Sequence, residues 1–228
     1  MDLGMGPSNG GMQQADAPHT GTTIVACVYD GGVVVAADSR VSTGTYVSNR
    51  ASDKITALWD NVYLLRSGSA ADTQVVSDYV RYYCEQHVTE IGEQPTVQTV
   101  ANLVMQINYN NKRLMAAMIV GGWDKHKGAQ VYSLPIGGSM VPEPWVVDGS
   151  GSTYIWGFMD SEYREGMTRE EAEKFMMTAT SLAMSKDGSS GGVIRTVTIS
   201  EKGAERQLYR GNDVPIFQDE VAPRGLVM

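Results

Sequence analysis

The chain has few of the residues that build disulfide frameworks and metal centres. It contains 228 residues but only two cysteines and three histidines. Cys27 and Cys84 lie far apart in apolar surroundings, which favours buried free thiols in a reducing compartment over a disulfide. His19, His87 and His126 are scattered and do not cluster with the cysteines. The sequence therefore contains no recognisable metal-ligand set, and we expect no metal site.

The chain also has no excess of basic residues and no long apolar run. Lysine and arginine number 18 against 26 acidic residues, for a formal charge of −8. This balance argues against nucleic acid as a partner, because proteins that bind it present a basic face to the phosphates. No run approaches the roughly 18 consecutive apolar residues of a membrane span, so we expect no membrane partner. The length suits one globular domain.

Residues 1–21 differ in composition from the rest of the chain. They are rich in glycine, proline and polar residues, and they show no hydrophobic periodicity. We predict that this segment is disordered. It lacks the basic and apolar regions of a secretory signal. It is therefore either a plain tail or a removable propeptide.

Strands are predicted wherever short β-branched, apolar runs flank turn residues. Asp30-Gly31-Gly32 separates two such runs and indicates a hairpin that begins near Thr22. Residues 55–58 and 62–65 indicate a second hairpin around Trp59-Asp60-Asn61. Further strands are predicted at residues 118–122, 130–134, 154–158, 193–200 and 205–209.

Three helices are predicted from capping signals and periodicity. Ser69 and Asp72 suggest a capping box at the start of the first, on which Ala71, Val75, Tyr79 and Tyr83 recur on one face. Residues 97–107 predict a second, and Thr168 begins a third. Runs of strands and runs of helices, rather than strict alternation, indicate an α+β domain with segregated layers. The pattern alone leaves the number of layers open. We place this domain at residues 22–213, followed by a tail at 214–228.

One apparent catalytic motif does not fit its required context. Residues 188–192, GSSGG, formally match the G-x-S-x-G pattern of a serine hydrolase, with Ser190 as nucleophile. That pattern requires a histidine downstream and a strand before the turn. All three histidines precede Ser190, and a predicted helix precedes the motif. The glycine-rich turn at residues 149–152 likewise lacks the lysine and spacing of a P-loop.

The junction between the unusual first segment and the first predicted strand carries more information. Gly21 is followed directly by Thr22 and Thr23, where the apolar run begins. Alone this is a weak signal, because any strand can begin with threonine. Further segments along the chain strengthen it.

Six segments together resemble proteasome beta subunits. They are TTIVACVYDGGVVVAADSR, NRASDKIT, RSGSAADTQ, GSGSTYIWGF, YREGMTREEA and KDGSSGGVIR. They occur in the order and spacing of that family from Thr22 to about Asp213. Arg66 in RSGSAAD, combined with DGSSGG, is most similar to the caspase-like catalytic subunit. The resemblance implies a four-layer α-β-β-α sandwich of the N-terminal-nucleophile hydrolase type.

The resemblance implies that Thr22 is the nucleophile of a threonine endopeptidase. A threonine hydroxyl needs a neighbouring base, and an N-terminal threonine carries one in its α-amine, with an ordinary pKa of about 7.7–8.0. That amine does not exist while Thr22 is bonded to Gly21. Removal of residues 1–21 at the Gly21–Thr22 bond would therefore create the base, with no cofactor required.

The resemblance assigns further roles around Thr22. Lys54 would lie beside it and Asp38 would pair with Lys54, the plainer alternative being an ordinary buried ion pair. Asp187, Ser190 and Ser150 would surround the amine and hydroxyl, orient the amine and relay protons. For Ser150, local hydrogen bonds within a glycine-rich turn are the alternative.

The resemblance also assigns substrate-binding roles. Gly68 would supply the N–H of an oxyanion hole. Arg66 would lie at the base of the pocket for the residue before the cut bond, so cleavage after acidic residues is expected. Backbone groups of Ser42, Gly68 and Ala70 would hold the substrate as an extended strand.

Two features depart from the usual pattern of the family. Val41 and Ser42 replace its usual threonine, which could alter the shape of the pocket. Asp148 replaces a glycine, and its carboxylate could either add charge near Ser150 or face the solvent.

The resemblance implies partners and a location. We expect seven beta subunits in a ring, a second such ring, flanking alpha-type rings, unfolded polypeptide substrates, and a place in the cytoplasm and nucleus. The competing interpretation is a non-catalytic structural beta subunit of the same particle.

Overall fold

Two five-stranded antiparallel sheets form the centre of the protein. The computed structural model describes residues 21–217, so most of the predicted first segment and residues 218–228 of the tail lie outside the described part. The strands are β1 Ile24–Tyr29, β2 Gly32–Ala37, β3 Val41–Thr43, β4 Tyr46–Asn49, β5 Ile55–Trp59, β6 Val62–Gly68, β7 Ala116–Asp124, β8 Gly128–Leu134, β9 Val141–Pro142, β10 Trp145–Asp148, β11 Ile194–Ser200 and β12 Gly203–Tyr209.

Four helices of more than one turn cover the sheets. They are α1 Ala70–Ile91, α2 Val97–Asn110, α3 Trp156–Glu162 and α4 Arg169–Lys186, with short 3₁₀ helices at Ser150–Tyr154 and Gly211–Asp213. The first sheet has the strand order β10-β1-β2-β11-β12, and the second has β5-β6-β7-β8-β9. Strands β3 and β4 form a separate hairpin.

The layers follow from the way β1 is buried on both faces. Val25 and Cys27 pack with α3 and α4, while Ile24 and Ala26 point into a core shared with the second sheet. The other face of the second sheet packs against α1 and α2. This arrangement explains the continuous apolar run of β1, because a strand between two layers has no solvent face. The four-layer α-β-β-α sandwich confirms the α+β class expected from the sequence.

Helix α1 buries a different face from the stripe noted in the sequence. Val75, Tyr79 and Tyr83 are 48%, 54% and 43% exposed, whereas Val80 and Cys84 are fully buried. Both stripes have helical spacing, so periodicity could not choose between them. The inner stripe has smaller side chains, and these pack closely against the sheet.

The two expected capping boxes have different outcomes. Thr168 forms a complete box with Glu171 at the start of α4. Ser69 Oγ accepts a hydrogen bond from the Asp72 N–H at 3.3 Å, but the Asp72 carboxylate accepts from the N–H of Met115. The α1 cap is therefore one-sided, and Asp72 connects α1 to the residue before β7, the middle strand of the second sheet.

The strand predicted at residues 154–158 is wrong. These residues belong to the end of a 3₁₀ helix and the start of α3. Ile155 and Met159 are both buried in the core beside α4, and a separation of four residues places them on one face of a helix. Strands β3, β4, β9 and β10 were not foreseen, because they are short or weakly patterned.

Candidate active site

Asp38 and Lys54 form a buried ion pair where the two sheets face each other. Asp38 directly follows β2 and Lys54 directly precedes β5. Lys54 Nζ lies 2.6 Å from Asp38 Oδ1, and both residues are almost fully buried. The N–H groups of Thr23, Arg40 and Gly191 also donate to the Asp38 carboxylate, at 2.9 to 3.1 Å. These partners compensate for the loss of water around the charge.

The Lys54 ammonium also contacts the predicted cleavage point. Its Nζ donates to the carbonyl oxygen of Gly21 at 3.1 Å. Burial lowers the pKa of Lys54, and the charge and hydrogen bond of Asp38 oppose that shift. A cation at the Gly21 carbonyl would stabilise negative charge that develops on this oxygen during attack on the Gly21–Thr22 peptide bond.

Thr22 is almost fully buried two residues before β1 begins. Its N–H donates to Ser150 Oγ at 3.2 Å, and its carbonyl oxygen accepts from the N–H of Gly151 at 3.1 Å. Strand β10 pairs with β1, with Asp148 opposite Ile24, and this pairing carries the 149–151 turn to Thr22. The unforeseen strand β10 therefore positions Ser150.

Asp187 organises the hydroxyl groups around Thr22. Its Oδ2 accepts from Ser150 Oγ at 2.7 Å and from Ser190 Oγ at 2.6 Å. Ser190 Oγ in turn accepts from the hydroxyl of Thr23 at 2.8 Å. A continuous chain of hydrogen bonds thus runs from the Thr22 nitrogen through Ser150, Asp187 and Ser190 to Thr23. Such a chain can orient a nitrogen and move a proton.

Gly21 occupies a position that admits no larger residue. A Cβ at Gly21 would lie 1.9 Å from Ser189 Cβ and 2.4 Å from the Ser189 carbonyl oxygen. The Gly21–Thr22 peptide bond therefore lies directly against the loop that carries Ser189 and Ser190.

A cavity of about 30 Å³ opens beside Thr22 and contains Arg66. Its lining includes Thr22, Val41, Lys54, Arg66, Gly68 and Ala70. Gly68 ends β6 at φ 97°, and a Cβ there would lie 2.2 Å from the carbonyl oxygen of Met115. The expected nucleophile, oxyanion donor and pocket arginine thus share one wall.

The Arg66 guanidinium is partly desolvated in this wall. Its Nη2 donates to the backbone carbonyl of Asp53 at 3.2 Å, while the buried Nε has no hydrogen-bond partner among residues 21–217. Burial lowers the pKa of Arg66, and the charges of Asp53 and Asp78 oppose that shift. A buried donor without a partner is costly. The positive charge of the guanidinium favours an anion in the cavity that Arg66 lines.

Ser42 and Asp148 lie at the edges of the site. Ser42, in β3, is buried and adjoins the cavity-lining Val41, but does not line the cavity. Asp148 Oδ1 accepts from the N–H of Gly149 at 2.6 Å, and burial raises the pKa of its carboxyl. Of the two alternatives left open, the structure therefore favours a carboxylate at the start of the Ser150 turn over one that faces the solvent.

The residues of the site that were missed from the sequence include Thr23 and Asp53. Thr23 closes the hydroxyl chain and donates its N–H to Asp38. Asp53 lines the cavity. The available signals were the doubled threonine at the junction and an acidic residue next to Lys54, and neither is specific.

No cluster of three or more metal-binding side chains occurs among residues 21–217. None of the helices in this part of the chain combines the length and apolarity that crossing a membrane requires.

Comparison with known proteins identifies the family. The family model described as "Proteasome subunit" matches residues 18–199. The chain is 52% identical to proteasome subunit beta type-6 of Arabidopsis thaliana, over 93% of this chain and 92% of that protein. It is 51% identical to proteasome subunit beta type-6 of Dictyostelium discoideum, over 89% and 95% of the two chains. It is 49% identical to proteasome subunit beta type-9 of Oncorhynchus mykiss, over 88% and 93%. The chain therefore belongs to the proteasome subunit family, among its beta-type members.

Proposed function

We propose that this chain is a catalytic beta subunit, a threonine endopeptidase that exposes Thr22 by removing residues 1–21. The observation that carries the proposal is the contact of Lys54 Nζ with the Gly21 carbonyl oxygen, at 3.1 Å, in a site where Asp38 holds the lysine. A purely structural subunit has no need of a buried ammonium at this peptide bond. The hydrolase domain would then span residues 22–213, followed by a tail at residues 214–228.

Self-cleavage follows from this geometry. The Thr22 hydroxyl attacks the Gly21 carbonyl carbon, and the oxyanion that forms is stabilised by Lys54. The C–N bond breaks as the proton lost by the hydroxyl passes to the nitrogen, which leaves Gly21 as an ester on the Thr22 oxygen. Water hydrolyses this ester and releases residues 1–21. The Thr22 nitrogen is then a free amine beside Ser150.

The same groups then act on substrates. The new amine takes the proton of the Thr22 hydroxyl, and the Lys54 ammonium lowers the pKa of this amine by charge repulsion. Ser150 and Ser190, held by Asp187, orient the amine and relay the proton. Gly68 N–H receives the oxyanion, a contribution on the order of 3 kcal/mol to transition-state stabilisation.

Cleavage after acidic residues is the specificity that Arg66 supports. Arg66 lines the cavity beside Thr22, and its guanidinium is partly desolvated by burial. A carboxylate side chain would pair with it through charge-assisted hydrogen bonds. Backbone groups of Ser42 and Ala70 would hold the substrate strand alongside. This specificity corresponds to the caspase-like class.

Membership of the family implies assembly with other proteasome subunits. We propose a place in a seven-membered beta ring that stacks on a second beta ring and contacts an alpha-type ring. Unfolded polypeptides would be the substrates, in ubiquitin-dependent degradation in the cytoplasm and nucleus.

Intact mass measurement of the chain in assembled particles tests the proposal. The mature chain should begin at Thr22. Thr22→Ala should retain residues 1–21, unless a neighbouring subunit trims them, and should abolish cleavage after acidic residues. A wild-type chain that keeps residues 1–21 in mature particles would instead establish the non-catalytic structural alternative.

A further inference from the structure

Asp53 stands beside Arg66 in the wall of the proposed specificity pocket. It lines the same cavity as Thr22 and Arg66, and its charge acts on the Arg66 guanidinium. A carboxylate free to turn toward Arg66 would pair with it and compete with an acidic side chain of the substrate. The direction in which the Asp53 carboxylate points therefore affects the choice of substrate.

Arg206, in β12, holds one oxygen of that carboxylate, Oδ2, while the N–H of Ile55 donates to the other oxygen, Oδ1, at 2.9 Å. Arg206 Nη1 donates to Asp53 Oδ2 at 2.9 Å, and Nη2 donates to the carbonyl oxygen of Ile55 at 2.8 Å. The guanidinium also lies over the ring of Tyr63, 5.5 Å from its centroid. These three contacts orient the planar guanidinium toward Asp53, in a pair that is partly exposed on both sides.

Arg66 meets a different part of Asp53. Its Nη2 donates to the backbone carbonyl oxygen of Asp53, while the Asp53 carboxylate faces Arg206. Two further charged groups lie near the cavity. Lys54 is paired with Asp38, and Asp78 acts on Arg66 from α1.

We propose that Arg206 is a specificity-positioning residue, which keeps the Asp53 carboxylate engaged and leaves Arg66 available to an acidic side chain of the substrate. This inference rests on the proposed function, because it requires Arg66 to receive that side chain. Arg206 itself touches neither the substrate nor the reacting atoms.

The test compares two peptides that differ only in glutamate or glutamine before the cut bond. Particles assembled with Arg206→Gln should show a ratio of kcat/KM, glutamate over glutamine, that is about two- to fivefold lower than in the wild type. Asp53 Oδ2, which then lacks its partner, competes for Arg66. General damage to the pocket would lower both rates and leave the ratio unchanged.

Two variants separate charge from loop anchoring. Asp53→Asn combined with Arg206→Gln should restore the ratio to at least the wild-type value, because the competing carboxylate is gone. Arg195→Gln is the matched control. Arg195 donates to the carbonyl oxygens of Ser52 and Ala51 at 2.8 and 3.1 Å, in the same loop, so its loss should affect both peptides alike.

An unchanged ratio in Arg206→Gln overturns the inference. The inference is also overturned if the ratio falls equally in Arg195→Gln. It is overturned as well if the ratio stays low when Asp53→Asn is combined with Arg206→Gln. Arg66→Leu distinguishes this failure from failure of the proposed function. If Arg66→Leu loses the preference for glutamate while Arg206→Gln keeps it, the inference alone fails. If the wild type shows no preference, or Arg66→Leu keeps it, the proposed acidic specificity fails as well.

Discussion

At the scale of single residues, the site depends on a tight backbone contact at Gly21 and on the charge of Lys54. Gly21 touches the Ser189 loop so closely that a single added carbon has no room. Lys54 reaches both Asp38 and the Gly21 carbonyl oxygen within 3.1 Å. The peptide bond before Thr22 is therefore held between an ammonium and a loop.

Gly21→Ala should slow self-cleavage about tenfold or more. The added Cβ overlaps Ser189, and the shift needed to relieve this moves the carbonyl away from Lys54. The rate is measured by intact mass during particle assembly. Gly188→Ala is the control in the neighbouring loop, because a Cβ there meets no atom within 4 Å. Equal cleavage rates for the two variants would contradict the proposed role of close packing.

At the scale of elements, each helix is positioned by the sheet it covers. Helix α1 has two stripes of apolar residues, and the stripe with Val76, Val80 and Cys84 is the one buried. The other stripe carries larger side chains, two of them tyrosines, and faces outward. Packing against β5, β6 and β7 decided this rotation, because only shorter side chains fit at that distance.

Val80→Ala should lower the free energy of unfolding by about 2 kcal/mol, through lost burial and the cavity left behind. Val75→Ala, five residues earlier on the outer stripe, should change it by less than about 0.5 kcal/mol. Urea denaturation of the full chain measures both. Similar losses for the two variants would show that the rotation of α1 has been misassigned.

At the scale of the whole molecule, the chain carries a net charge of −8, and its stability depends on pH where folding desolvates an acidic group. Asp148 is such a group, and burial raises the pKa of its carboxyl. Between its ordinary value of about 3.9 and the raised value, the folded chain binds more protons than the unfolded chain. The contribution of Asp148 to stability therefore falls as the pH rises through this window.

Asp148→Asn should consequently be more stable than the wild type at pH 7, with a difference that vanishes below a pH of about 3.9. Asparagine can still accept the hydrogen bond of Gly149. Denaturation midpoints across a pH series measure the difference, with the exposed Asp160→Asn as control. A difference that grows on acidification would contradict the assigned cause.

The sequence by itself determined the first hairpin, the starts of α1 and α4, and the residue types of the site. These are local features, because alternation, turn residues and caps act within a few positions. Resemblance added the roles of Thr22, Asp38 and Lys54. Periodicity failed at residues 154–158 and on α1, where competing patterns were equally good locally.

Only the tertiary structure decided which of those residues meet. The pairing of β10 with β1 brings Ser150 to the Thr22 nitrogen, and Asp187 joins it from the end of α4. The contact of Arg206 with Asp53 joins positions 153 residues apart. Such contacts arise from packing between layers, which no local pattern records, and they convert a threonine at a strand start into a candidate nucleophile.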